Sequence, residues 1–488
     1  MVIASLPEEG TASLPEGRYF TLAWTIPDEI GGLTSSMLHR SRAFAEQGGK
    51  EVAVLTFDAR ADYPAVEHRL RDAGEMVPGM RLINLWDWCG GQPVAAAPNP
   101  LPTAAHVFTP IEGVADKSAS RDGVEIRRWR YAADGTTVLQ TDFLRPDGTL
   151  LATHRRDTRR FGALGGRCVV LCDAEGRPVR SWLRVRSLYR FWLDRMTAGE
   201  GEVYLIADGK PINNFLHTYR RAGRVTVHVV HGSHLAGNIG PWGRLRSSRA
   251  EAFRHLSEFD AVTLLTDRQR RDAQMMFGRK DNLHVVSNSR RMSDTPVQTR
   301  SVGAGAFVGR LSKLKRPQHA VRAVAKARRR APGVTLDVYG DGSRRSALEE
   351  LSSGGAVRVH GWAPDARERL AEASFLLFTS RSEGFGLVLL EAMAVGCIPI
   401  SYNIRYGPAE LIEHGRNGLL VRSGSIHGLA RAIVRLQRMP PAEVAAMRDA
   451  ARRTAERYTD EPVLQAWAGA LAAARARNLA GPSPGERR

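Results

Sequence analysis

Cysteine is scarce in this chain. Four cysteines, Cys89, Cys168, Cys172 and Cys397, are scattered through 488 residues, too few for a disulfide scaffold. Cys168 and Cys172 flank apolar residues in RCVVLC and read as strand residues; without a second ligand pair they do not make a zinc site. No run of about 20 apolar residues suggests a membrane-spanning helix. The opening MVIASLPEEGTASLPEG lacks an apolar stretch of signal-peptide length, so the chain reads as cytoplasmic. Acidic residues are also in deficit: 51 against 70 basic ones, a formal net charge of +19. That field favours polyanions such as nucleic acid, an anionic membrane face or a phosphate-bearing polymer. No nucleic-acid module with interleaved aromatics is present, so nucleic acid ranks last and peripheral contact with the membrane's inner face stays open. Genome base composition alone would also produce an arginine excess.

What is present is an α/β pattern long enough for two large domains and a smaller module. YFTLAW reads as a strand, followed by Gly31 and Gly32 ahead of a helix from Leu33 to about Gln47, then the strand EVAVLTF. The double glycine suits either close approach of a phosphate or a simple turn. Between about 107 and 185 the texture changes to short alternating segments punctuated by Asp134-Gly135, Asp147-Gly148 and Glu175-Gly176. This predicts an antiparallel β-meander inserted into the first domain. It is strongly basic, with Arg127, Arg128, Arg130, His154, Arg155, Arg156, Arg159 and Arg160. The α/β pattern then resumes with VYLIADG, VTVHVVHGS, AVTLLTD and LHVVSNS.

The most informative stretch is SRSEGFGLVLLEAMAVG, residues 380 to 396. A strand FLLFTS, a Gly-Phe-Gly turn and a helix from Leu387 place free N–H groups and a helix dipole at one point. Gly384 and Gly386 allow close approach, and Glu383 and Glu391 flank the turn. The combination suits a ligand both phosphorylated and rich in hydroxyls. Upstream, GAFVGRL ends at Gly309-Arg310, and Lys315 precedes a helix near Pro317. Two fixed cations there would stabilise a departing diphosphate more than its ground state. VTLDVYGDGS adds a strand closed by Gly340 and Gly342, a weak glycine signal alone.

Glu383 to Glu391, spaced around GFGLVLL, resembles the donor signature of retaining glycosyltransferases of family 4 with the GT-B fold, and the GR-L…K context is similar to theirs. The resemblance implies two Rossmann-like domains facing a cleft, with the β-rich insertion in the first. The implied boundaries are 1–106 with 186–300 for the first domain, 107–185 for the insertion and 301–460 for the nucleotide-sugar domain. A terminal helix at 461–478 would pack back on the first domain, with a disordered tail at 479–488. Arg310 and Lys315 would hold the leaving diphosphate, Glu391 the ribose, and Glu383 with the backbone from Phe385 to Leu387 the hexose. Gly31, Gly32, Gly309, Gly340 and Gly342 would lie near the donor. No metal or other cofactor is required in such transferases.

His231 and His234, in HGSHLAG at a strand's C-terminal end, lie where open α/β sheets bind ligands. The resemblance favours His234 beside the transferred sugar. His231 reads as an acceptor contact or a structural cap; a metal pair would need a further ligand. SYNIRYGPAELIEHGRNGLLV, residues 401 to 421, together with the insertion, resembles the wall-teichoic-acid α-glycosyltransferases. That implies transfer of glucose or N-acetylglucosamine from a UDP-sugar to a poly(glycerol phosphate) or poly(ribitol phosphate) chain. Counterion release would favour such an acceptor on an arginine track from His154 to Arg160, although a merely solvated face fits equally. Arg290 and Arg291, where many relatives carry an Ile-Pro-Asn-Gly turn, are further candidates for the anionic acceptor. The insertion also offers a surface for homo-oligomer assembly. The competing readings are a family 4 enzyme with a capsule, glycolipid or protein acceptor, and a non-catalytic polyanion- or sugar-binding protein.

Overall fold

The computed structural model describes residues 13–91, 115–156, 167–236, 240, 242–292, 302–352 and 354–481. The chain opens with β1 (Arg18–Ala23), α1 (Gly32–Glu46), β2 (Val52–Thr56), α2 (Tyr63–Asp72), β3 (Met80–Asn84) and α3 (Leu85–Gly91). Six strands follow: β4 (Ala115–Arg121), β5 (Val124–Tyr131), β6 (Val138–Leu144), β7 (Leu150–Arg156), β8 (Arg167–Cys172) and β9 (Pro178–Trp182). Then come α4 (Val185–Met196), β10 (Val203–Ala207), α5 (Lys210–Leu216), β11 (Arg224–Val230), α6 (Ser247–Arg254), β12 (Ala261–Leu264), α7 (Asp267–Phe277) and β13 (Leu283–Val285). Two compact units result: Glu16–Thr34 with Gly49–Thr226, and Met1–Pro15 and Ser35–Gly48 with Val227–Arg488.

In the first unit β10, β1, β2 and β3 lie side by side, all parallel. Their near-continuous apolar sequences match strands covered on both faces. The strands β4 to β9 form a separate antiparallel meander in sequential order. The predicted Asp-Gly turns at 134–135 and 147–148 close hairpins: the Asp134 carboxylate accepts from the N–H groups of Thr136 and Thr137 at 2.8 and 2.7 Å, and Gly135 and Gly148 take φ +65° and +83°.

Two residues of the expected surface track, His154 and Arg155, do not face solvent. They are buried because β7 is an interior strand covered on both faces. Arg127 is 2% exposed and pairs with Asp87 at 3.3 Å. Arg130 is buried beside Asp142, and Arg128 pairs with Glu125. Arg156 is exposed; Arg159 and Arg160 lie outside the described residues.

In the second unit β11, β12 and β13 are parallel neighbours. The chain continues through β14 (Ala304–Val308), α8 (Pro317–Ala327), β15 (Thr335–Tyr339), α9 (Arg345–Leu351) and β16 (Val357–Gly361). It then runs through β17 (Phe375–Phe378), α10 (Leu387–Ala394), β18 (Ile398–Asn403), α11 (Pro408–Leu411) and β19 (Leu419–Arg422). Three helices close it: α12 (Ile426–Arg438), α13 (Pro441–Glu456) and α14 (Asp460–Ala480). The order β16-β15-β14-β17-β18-β19 is that of a doubly wound sheet, whose topological switch point falls between β14 and β17.

Helices form where apolar residues recur at helical spacing. In α8, Pro317 supplies the pre-set φ of a first-turn residue and Ala320, Val321, Val324 and Ala327 are buried. In α12, the Ser425 hydroxyl caps the N-terminus by accepting from Gly428 N at 3.0 Å, and Leu429, Ile433 and Leu436 face the core. The terminal helix α14 packs against β12, with Trp467 edge-on to Phe44 of α1 at 5.7 Å. No helix among the described residues is long and apolar enough to cross a membrane.

Candidate active site

The loops after β14 and β17 meet at the switch point, where ligands bind in open α/β sheets. The Thr379 hydroxyl at the end of β17 donates to the carbonyls of Lys315 and Arg316, at 2.8 and 2.9 Å. Arg381 N donates to Leu314 O at 2.8 Å. These bonds bring Lys315 to Glu383, and Lys315 Nζ lies 2.6 Å from Glu383 Oε1. Both side chains keep partial access to solvent, 27% and 15%. Arg310 is exposed and makes no side-chain ion pair among the described residues.

The glycines around this point differ in what they do. Gly386 caps α10 in the left-handed region, φ +93°, and turns the first N–H groups of the helix, from Leu387, toward the loop. A Cβ on Gly384 would fall 2.3 Å from His231 O, so this turn lies flush against the loop after β11. Phe385 is buried edge-on to Tyr458 at 5.5 Å. Gly340 and Gly342 serve packing: a Cβ on Gly340 would sit 2.1 Å from Gly309 O, and one on Gly342 2.7 Å from Leu311 O. They hold the Gly309–Leu311 loop, with Leu311 N donating to Asp341 O at 2.8 Å. In the first unit, Gly32 opens α1, and a Cβ on Gly31 would meet nothing within 4 Å; packing does not demand glycine at 31.

Glu391, in the second turn of α10, accepts from Arg290 Nε at 3.0 Å and forms an ion pair with Arg367, whose Nε lies 3.2 Å away. The Ser35 hydroxyl accepts from both guanidiniums, each at 3.2 Å. Arg290, expected at an anionic acceptor, is thus buried and engaged at the carboxylate expected to hold ribose. Arg291 pairs with Glu46, with Asp460 3.9 Å away.

His234 packs into the core beside the loop after β11. Its ring is fully buried, stacked on Phe253 at 4.9 Å and on Tyr406 at 5.8 Å. Burial, then the charges of Arg249 and Arg405, lower its pKa to about 4, so it is a neutral core ring near pH 7. His231, partly accessible with its carbonyl against Gly384, is the histidine at the donor turn.

Three participants carried no local signal in the sequence. Asp272 of α7 accepts from Arg405 at 2.6 Å and from the Tyr406 hydroxyl at 2.7 Å. Arg246 donates to Ser382 Oγ at 3.2 Å. Arg367 is the third, through Glu391.

The paired cation and carboxylate beside a glycine turn lie within residues 304–438, which match the family described as Glycosyl transferases group 1. Over most of its length the chain is similar to two curated relatives. The poly(glycerol-phosphate) alpha-glucosyltransferase of Bacillus subtilis (strain 168) is 21% identical over 96% of this chain and 77% of its own. The poly(ribitol-phosphate) alpha-N-acetylglucosaminyltransferase of Staphylococcus aureus (strain COL) is 20% identical over 92% of this chain and 98% of its own. Among solved structures, S. aureus TarM in complex with UDP and alpha-GlcNAc-glycerol superposes with a TM-score of 0.71 at 18% identity, covering 93% of this chain and 100% of TarM. The fold is therefore GT-B, as the donor motif implied.

Proposed function

We propose that this chain is a retaining hexosyltransferase that moves α-linked glucose or N-acetylglucosamine from a UDP-sugar to a polyol-phosphate polymer. The observation that carries the reading is the 2.6 Å pair of Lys315 and Glu383 at the switch point, with Glu383 in the turn that leads into α10. A cation for the diphosphate and a carboxylate for sugar hydroxyls meet there. Similarity along nearly the whole chain to the two teichoic-acid transferases supports the acceptor class, as does the net charge of +19.

In this reading Arg310 and Lys315 hold the leaving diphosphate and stabilise the charge that grows on it. Glu391 takes the ribose once Arg290 and Arg367 share it, Glu383 orients the hexose, and His231 borders the sugar. The chemistry needs no metal, and the exposed charge allows peripheral contact with an anionic membrane face.

The test is UDP release from UDP-glucose and UDP-N-acetylglucosamine, with and without poly(glycerol phosphate) or poly(ribitol phosphate). Release that requires one polymer and disappears in Glu383→Ala supports the reading and identifies sugar and acceptor. Release indifferent to both polymers removes the acceptor and keeps the transferase. No release from any UDP-sugar overturns the reading in favour of a binding role.

A further inference from the structure

We propose that Asp272 is a positioning residue for Glu383, acting through the segment Arg405–Gly407; this rests on the reading of Glu383 as the carboxylate that orients the hexose. Asp272 is 5% exposed in the second turn of α7. Its Oδ2 accepts from Arg405 Nη1 at 2.6 Å and from the Tyr406 hydroxyl at 2.7 Å. The backbone of the same two residues grips Glu383 on both sides: Glu383 N donates to Arg405 O at 3.3 Å, and Tyr406 N donates to Glu383 O at 3.0 Å.

The next residue closes the grip. Gly407 has φ +106°, and a Cβ there would lie 1.7 Å from Phe385 O, so the segment runs in direct contact with residues 383 to 385. Any side chain at 407 would push it away. The Tyr406 ring is fully buried against His234, which stacks in turn on Phe253. Burial, then the bond to Asp272, raises the Tyr406 pKa, so its hydroxyl keeps the proton that it donates. His234 thus belongs to the backing of this segment.

One carboxylate on a helix outside the donor sheet therefore fixes two residues whose backbone fixes a third. Removing the charge of Asp272 deprives the Arg405 guanidinium, 13% exposed, of this buried counter-charge. The segment then relaxes, and the Glu383 carboxylate leaves its place beside Lys315. Reaction geometry responds strongly to displacements of this kind: about 1 Å can cost on the order of a hundred-fold in rate.

The experiment compares wild type, Asp272→Asn, Tyr406→Phe, Glu383→Ala and the double variant Asp272→Asn/Glu383→Ala in the full chain. UDP release from UDP-glucose and UDP-N-acetylglucosamine gives kcat and KM, and calorimetric titration gives the UDP Kd. Asp272→Asn is expected to lower kcat about 30-fold while UDP binding stays unchanged or tightens by up to about five-fold as Lys315 is released, and to add nothing further once Glu383 is alanine. Tyr406→Phe, which keeps the Arg405 bond, loses less. Additive losses in the double variant, or a parallel fall in UDP affinity and kcat that follows the folded fraction, would overturn the proposal. Absence of UDP release by wild type would instead overturn the functional reading. A crystal structure of Asp272→Asn then decides independently: a displaced 405–407 segment with Glu383 parted from Lys315 supports positioning, and unchanged geometry refutes it.

Discussion

Lys315 Nζ and Glu383 Oε1 lie 2.6 Å apart, so the cation assigned to the leaving diphosphate and the carboxylate assigned to the hexose neutralise each other before a donor arrives. A diphosphate entering this site competes with Glu383 for the ammonium group. Glu383→Gln removes the competitor and is expected to leave UDP affinity unchanged or tighten it by up to about five-fold, on the order of 1 kcal/mol. The same change lowers kcat by on the order of a hundred-fold, because the sugar loses its orienting charge. Lys315→Ala weakens UDP and lowers kcat together. Calorimetric titration of UDP beside steady-state rates separates the two patterns; weaker UDP binding in Glu383→Gln would contradict the competition.

Glu391 offers a contrast between its two arginines. Arg290 is 9% exposed at the side chain and Arg367 51%, with Glu391 at 11%. Removing the buried partner leaves a mostly buried carboxylate short of charge, so Arg290→Ala is expected to destabilise the fold by about 3 kcal/mol. Arg367→Ala, at a half-exposed and solvent-screened pair, costs less than about 1 kcal/mol. Urea unfolding of both variants checks the difference, and equal losses would show that burial is not what separates them.

Gly340→Ala tests whether this glycine serves packing. The added Cβ would meet Gly309 O at 2.1 Å from a backbone at φ +139°, and neither the carbonyl nor the backbone can move aside cheaply. A loss of about 2 kcal/mol or more in stability is expected, with weaker UDP binding as the Gly309–Arg310 loop shifts. Gly333→Ala is the control, since a Cβ there meets nothing within 4 Å, and it should leave stability unchanged or slightly raised. Thermal melts of the two variants decide.

The switch-point part of the candidate site was legible in the sequence because it is local. Glu383, the two flanking glycines and Glu391 lie on one strand–turn–helix run, and Lys315 follows a strand of the same sheet. The α/β order and the antiparallel meander were readable for the same reason, since period and turn residues are short-range signals. Partnerships across long separations were not. Arg405 meets Asp272 from 133 positions away and Arg290 meets Glu391 from 101, and no spacing rule announces either. The burial of His154 and Arg155 was equally hidden: an arginine-rich strand reads as solvent-facing until both of its faces are found covered. The burial of the His234 ring was hidden too, because strand-end position locates a loop but not the direction in which a ring turns within it.

Two buried histidines contribute most clearly to how stability should respond to pH. Burial, then Arg156 and Arg167, lowers the His154 pKa to about 3; burial, then Arg249 and Arg405, lowers that of His234 to about 4. An unfolded histidine titrates near 6.5, so between that value and the folded pKa the unfolded chain binds more protons than the folded one. Stability therefore rises with pH through this window and is lost as pH falls from about 6.5 toward 4. Each histidine contributes on the order of 3 kcal/mol to that loss at its full extent. His154→Gln removes one titrating group far in sequence from the switch-point site and should flatten the dependence in part, with little change in the profile above pH 7. Urea midpoints measured from pH 4.5 to 8 give the slope directly; an unchanged slope in His154→Gln would mean that its ring is already protonated, and paired, in the folded state.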